Sequence, residues 1–117
     1  MEKAFETESY VSVDKAWHQA LSFDESCTVK VAIENLGKDP LYGFYLDETD
    51  FNAMIEQGSV DDVVMARIEN QLLCVNERGV AETDVVFTAG NFYLCVELDV
   101  ESAPDAKRSE FRLVLYE

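Results

Sequence analysis

The residues able to do chemistry in this sequence are few, apart from its carboxylates. His18 is the only histidine among 117 residues. Any serine- or cysteine-based nucleophilic site would have to use it as base. No Gly-x-Ser-x-Gly turn and no activated-cysteine setting accompanies it, so it reads as a surface or half-buried histidine next to Trp17. Cys27, Cys74 and Cys95 are odd in number, far apart and outside any Cys-x-x-Cys pair. Zinc needs clustered Cys and His at short spacing, which is lacking. Each cysteine lies in an apolar stretch, so all three are expected to be reduced core thiols. Gly79 and Gly90 stand alone, without the helix and lysine of a phosphate loop.

Carboxylates are abundant: 24 Asp and Glu against 9 Lys and Arg, a formal net charge of −15. Counting therefore finds glycosidase-like pairs anywhere and means little without a cleft around a sugar. Asp47, Glu48, Asp50 and Asn52 would offer calcium oxygen ligands over one loop. Their spacing is not that of an EF-hand, and helix capping accounts for the same residues. No cofactor is expected. Such a surface repels phosphate backbones and anionic lipid and attracts cations. The implied partner is a basic protein surface, with neither direct nucleic-acid nor membrane binding.

The charge is also clustered. No Lys or Arg occurs from Asp39 to Ala66, which holds Asp39, Asp47, Glu48, Asp50, Glu56, Asp61 and Asp62. None occurs from Gly79 to Ala106, which holds Glu82, Asp84, Glu97, Asp99, Glu101 and Asp105. If both runs share a face, that face is a concentrated negative field. Asp47, Glu48, Asp50, Asp61 and Asp62 are the preferred partner contacts, since a turn and a short helix can present them together. Exposed aromatics such as Trp17, Tyr42 and Tyr93 are the fallback.

The elements that must position these residues are mainly strands. Cys27 to Glu34 alternates, with Cys27, Val29, Val31 and Ile33 on one face. Phe92, Leu94, Val96 and Leu98 alternate with Tyr93, Cys95 and Glu97, and Phe111, Leu113 and Leu115 with Arg112, Val114 and Tyr116. Further strands are expected over Ser9–Val13, Trp17–Phe23, Leu41–Leu46 and Thr83–Phe87. Turns fall at 35–40, 88–91, with Gly90 at positive φ, and 102–105. From Thr49 to Gln57, Phe51, Met54 and Ile55 recur at helical spacing, with Asp47 or Thr49 as cap and Gly58 as stop. Phe51 and Ile55 are expected to pack onto a sheet edge, with Asp50 and Glu56 in solvent. Residues 60–75 fit helix or strand, and the β-prone Val63-Val64-Met65 favours strands. The expected fold is a single all-β domain over 1–117: an antiparallel, jelly-roll-like sandwich, with a small barrel as the alternative, having one short helix near 49–57 and a core including Val29, Val31, Ile33, Phe44, Leu94, Val96, Phe111 and Leu113.

Two stretches, Leu41-Tyr42-Gly43-Phe44-Tyr45-Leu46-Asp47-Glu48-Thr49-Asp50-Phe51-Asn52 and Phe87-Thr88-Ala89-Gly90-Asn91-Phe92-Tyr93-Leu94-Cys95-Val96, resemble a strand entering an acidic turn and a Gly-aromatic hairpin. They occur in that order in jelly-roll sandwiches of the bacterial pre-peptidase C-terminal type and in GOLD-like domains. The resemblance covers roughly the central half of the chain. It implies a non-catalytic binding or interaction module, often secreted or luminal.

Met1 to Phe23 lacks the basic and then apolar segments of a leader, and no apolar run approaches a membrane span, so a cytoplasmic protein is expected. Taken together, the expected function is that of a non-catalytic acidic module docking a cationic protein. The alternatives are a nucleic-acid-mimicking inhibitor of a DNA-binding or defence protein, of the phage or mobile-element type, and a calcium-dependent carbohydrate-binding sandwich.

Overall fold

A computed structural model describes residues 2–57, 73–76, 78–100 and 102–117. Eight strands run in chain order: β1 (Lys3–Ser12), β2 (Trp17–Phe23), β3 (Cys27–Asn35), β4 (Leu41–Asp47), β5 (Leu73–Val75), β6 (Val80–Phe87), β7 (Gly90–Leu98) and β8 (Arg108–Tyr116), with α1 (Glu48–Gln57) between β4 and β5. They form two four-stranded antiparallel sheets, β1-β8-β3-β6 and β2-β7-β4-β5. This is the strand order of a jelly roll, the expected fold class. The stretch 60–75 shows a strand at Leu73–Val75, and its remainder lies outside the described residues.

Period-two alternation decides which side chains meet between the sheets. Val29, Val31 and Ile33 of β3, Leu94, Val96 and Leu98 of β7, and Phe111, Leu113 and Leu115 of β8 are buried in one cluster with Val11, Leu41, Val75 and Phe87. Phe23 stacks on Phe87 at 4.8 Å, while Phe92 and Tyr45 meet the Phe87 ring edge-on at 5.1 Å. Trp17 packs edge-on against Phe111 at 5.4 Å. Trp17 therefore serves the core and is not the exposed aromatic expected of it. Gly43 lets β4 approach β3, because a Cβ there would collide with Ile33 Cδ1.

One expected core residue lies elsewhere. Phe44 is buried, but its register partner on β7 is Cys95, so it faces away from the other sheet. With Leu46, Phe51 and Cys95 it forms a second cluster beneath α1.

The loops at the β4-start end of the sandwich are tied by one buried amide. Asn35 is 1% exposed and Ser109 0%. The Asn35 Nδ2 group donates to Asp39 O at 2.8 Å and to Val75 O at 3.1 Å. Its Oδ1 accepts from Gly37 N–H at 2.9 Å and from Ser109 Oγ at 2.7 Å.

Val31 and Leu94 point into the core from opposite sheets, 1% and 3% exposed. Replacing either with Asp buries a charge without a partner. Val31→Asp and Leu94→Asp are each expected to lose the cooperative thermal transition. A parent-like melt for either variant would contradict the assigned strand faces.

Candidate functional site

The turn into α1 is built by local chemistry. Asp47, the last residue of β4, accepts a hydrogen bond at Oδ1 from the backbone N–H of Asp50 at 2.8 Å. That is an N-cap in helical position, and Glu48 and Asp50 fill the first turn, where the helix dipole favours negative charge. Asp47, rather than Thr49, is the cap, so the helix begins at Glu48. Glu48 Oε2 accepts from Asn91 Nδ2 at 3.1 Å, and Asn91 Oδ1 accepts from Ser22 Oγ at 2.9 Å. A polar chain thus joins the ends of β2, β7 and β4.

Phe51 holds α1 to the outer face of the β2-β7-β4-β5 sheet. It is buried, and its ring stacks on Tyr93 at 3.7 Å with 7° between planes, while the His18 ring lies 4.9 Å away. The contact stripe continues through Met54, three residues on. Ile55, expected to pack beside Phe51, is instead 60% exposed. The stripe follows the i, i+3 row, and the i+4 position lies on its flank. The helix also rests on the sheet face, over Phe44, Cys95 and Tyr93, rather than on an edge. Tyr93 is consequently committed to Phe51. Tyr42 donates its hydroxyl to Glu97 Oε2 at 2.5 Å.

The thiols differ from one another. Cys95 is buried, and burial, with the Glu97 charge as a lesser cause, pushes its pKa up to about 12. Cys27 is half-buried and Cys74 is exposed, so the expectation of three core thiols holds for Cys95 alone. Cys74 occupies the outward position of its strand, opposite Tyr42.

The two base-free runs do not share a face. Glu82 and Asp84 lie on the outer face of the β1-β8-β3-β6 sheet, beside Ala32 and Lys30 of β3. On that face Arg112 pairs with Glu8 at 2.7 Å and Glu34 at 3.2 Å, and Arg108 pairs with Glu110 at 3.1 Å. Hydrogen bonding to Glu8, then its charge, raises the Arg112 pKa. Glu97 lies on the outer face of the other sheet, near the far end of β7.

Topology instead gathers acids at one end of the sandwich. Asp47, Glu48 and Asp50 come there from the β4–α1 join. Asp24 and Glu25 come from the β2–β3 turn, and Glu2 and Glu117 from the ends of β1 and β8. Lys3 and Lys30, both at the level of Tyr116, are the bases nearest this end among the described residues, and Lys3 pairs with Glu6. At the opposite end, Lys15, Lys38, Arg78, Lys107 and Arg108 lie in or beside the loops, interspersed with Asp14, Asp39, Asp99 and Asp105. Asp39 there is structural: its Oδ2 accepts the backbone N–H groups of Lys107 at 2.8 Å and Arg108 at 3.3 Å. Asp24 and Glu25 escaped the sequence reading because they lie outside both base-free runs. The Phe23-Asp24-Glu25-Ser26 turn after an alternating strand was the available signal. Asp61 and Asp62 lie outside the described residues.

Among the described residues, no three or more His, Cys, Asp or Glu side chains are grouped closely enough to hold a metal ion. None of the described helices is long and apolar enough to cross a membrane.

Phe51→Ala is expected to cost about 3–5 kcal/mol in chemical denaturation. Ile55→Ser should stay within about 0.5 kcal/mol of the parent. A loss below about 1 kcal/mol for Phe51→Ala would mean that the ring does not anchor the helix.

No protein-family model matches the sequence, and no curated protein matches it. Among solved structures, the fold is similar to the pre-peptidase C-terminal domain of collagenase from Bacillus anthracis: 12% identity, TM-score 0.59, covering 99% of this chain and 91% of that one. The chain therefore has the fold of a pre-peptidase C-terminal domain, an antiparallel two-sheet sandwich.

Proposed function

We propose that this domain is a non-catalytic binding module whose acidic end docks a cationic protein partner. The observation that carries the reading is the segregation of charge along the strands. Asp24, Glu25, Asp47, Glu48 and Asp50 crowd one end, while five of the nine bases lie at the other, where they offset Asp14, Asp39, Asp99 and Asp105. A field of one sign concentrated at an end steers an oppositely charged surface and fixes its orientation on encounter. An acidity serving only solubility needs no such arrangement. Asp61 and Asp62 are retained as contacts by the sequence reading. The three free thiols, one of them exposed, favour a reducing cytoplasmic setting.

The other readings find less support. A nucleic-acid mimic needs rows of carboxylates with few bases between them, and on the broad face of the β1-β8-β3-β6 sheet Lys30, Arg108 and Arg112 interrupt the acids. A calcium-dependent carbohydrate module lacks a grouped ligand set among the described residues.

The test compares two variants that each remove four charges. Asp47, Asp50, Asp61 and Asp62 are changed jointly to Asn, which keeps the cap at residue 47. The control changes Asp84 and Asp105 to Asn and Glu82 and Glu110 to Gln, all exposed positions outside the acidic end. Binding of a lysine-rich peptide is measured calorimetrically at low and physiological salt. At roughly 0.5 kcal/mol per rim charge, the first variant should lose about 2 kcal/mol, or more than tenfold in affinity, with a flatter salt dependence. The control should lose much less. Equal losses in the two variants would reduce the acidity to a net-charge effect.

A further inference from the structure

At the end opposite Asp47, the turn between β1 and β2 and the ends of β4 and β7 border an open cleft of about 280 Å³. Val13, Asp14 and Lys15 line one side, Tyr42 and Glu97 another, and Val100 the rim. The volume falls just below the ~300–1,000 Å³ typical of small-molecule pockets, room for one long side chain. We propose that this cleft is a binding site for an aliphatic ammonium, the side chain of a lysine presented by a peptide. The site is separate from the acidic end and does not rest on the docking function proposed for it.

Glu97 supplies the charge. Antiparallel register sets it directly opposite Tyr42, and the phenol donates to its Oε2 at 2.5 Å. Both side chains are half-buried. A carboxylate accepts several hydrogen bonds, so one hydroxyl orients Glu97 without using up its capacity. Glu6, Glu8, Glu34 and Glu110 each pair with a Lys or Arg. Glu97 has no such partner among the described residues.

The walls suit the stem of a lysine. Val13 is 58% exposed and Val100 45%, two apolar surfaces on which methylene groups can lie while the charged head reaches the carboxylate. Lys15 borders the mouth, but its Nζ sits 4.5 Å from the centre of the Tyr10 ring, which Arg108 also covers. Asp14 offsets the Lys15 charge, leaving the lining acidic. A carboxylate or phosphate ligand would meet Glu97 and Asp14 and be repelled.

The experiment uses the isotopically labelled chain and two probes, Nα-acetyl-lysine methylamide and its uncharged counterpart Nα-acetyl-norleucine methylamide. The lysine probe is expected to shift the Val13, Ala16, Leu98 and Val100 amides saturably, with the norleucine probe several-fold weaker. Glu97→Gln should weaken the lysine probe by about tenfold or more, the scale of one charge-assisted hydrogen bond. Val13→Lys should abolish binding by supplying an ammonium from within, and Asp47→Asn with Asp50→Asn should leave it unchanged. Three results would overturn the site: equal binding of both probes, parent-like affinity in folded Glu97→Gln, or shifts confined to Asp24, Glu25 and Asp47–Asp50. If Glu97→Gln does not fold, Val13→Lys decides, and unaltered binding by that variant rejects the proposal.

Discussion

The fold depends on a polar constraint buried at one end of an apolar sandwich. Asn35 uses its whole side-chain amide: two N–H donors to the carbonyls of Asp39 and Val75, and an oxygen accepting from Gly37 and Ser109. Its backbone N–H reaches Gly79 O at 2.8 Å. Those partners come from the β3–β4 loop, from β5 of the other sheet, from β8 and from the turn before β6. A fully satisfied buried amide specifies one arrangement, because any slip leaves donors and acceptors without water or partner. Gly37 is required where it passes Ser109, since a Cβ there would collide with Ser109 Oγ. The loops at this end are therefore pinned, and Asp39 extends the clamp to the backbone of Lys107 and Arg108.

The other end is organised differently, and electrostatics follows from that. Aromatic packing of Phe23, Tyr45, Phe87 and Phe92 closes the core beneath it, so its loops need no buried polar node. Asp24, Glu25, Asp47 and Glu48 there are exposed, and repulsion between such like charges is screened over roughly 8–10 Å. Strand adjacency does the gathering. Because β7 lies between β2 and β4, the Ser22–Asn91–Glu48 chain draws the β2–β3 turn toward the start of α1. Residues more than twenty positions apart thus contribute to one field.

What was legible in the sequence follows from the range of each signal. Alternation is local, so β3, β7 and β8 and their faces could be read directly. The position of Gly90 at φ 137° followed from the turn before Phe92. Burial on the second side of a sheet is not local: Phe44 and Cys95 alternate as outward residues, and only the helix lying over them makes that face a core. Ile55 shows the same limit within α1, since periodicity gives a stripe to within a residue but not the line along which it touches the sheet. Runs along the chain also proved a poor guide to shared faces. Glu82 and Asp84 are close in sequence to Glu97 yet belong to the opposite sheet, whereas Asp24 and Glu25 join Asp47 through topology alone.

The central claim is that charge is polarised between the two ends rather than spread evenly. Paired cationic and anionic nitroxide cosolutes test it directly, because the ratio of their relaxation enhancements at each amide reports the local surface potential. The account predicts the most negative potential at Asp24, Glu25 and Asp47–Asp50, weakening toward Lys15, Lys38 and Lys107. A potential uniform over both ends, or deepest around the Lys107 loop, would contradict it.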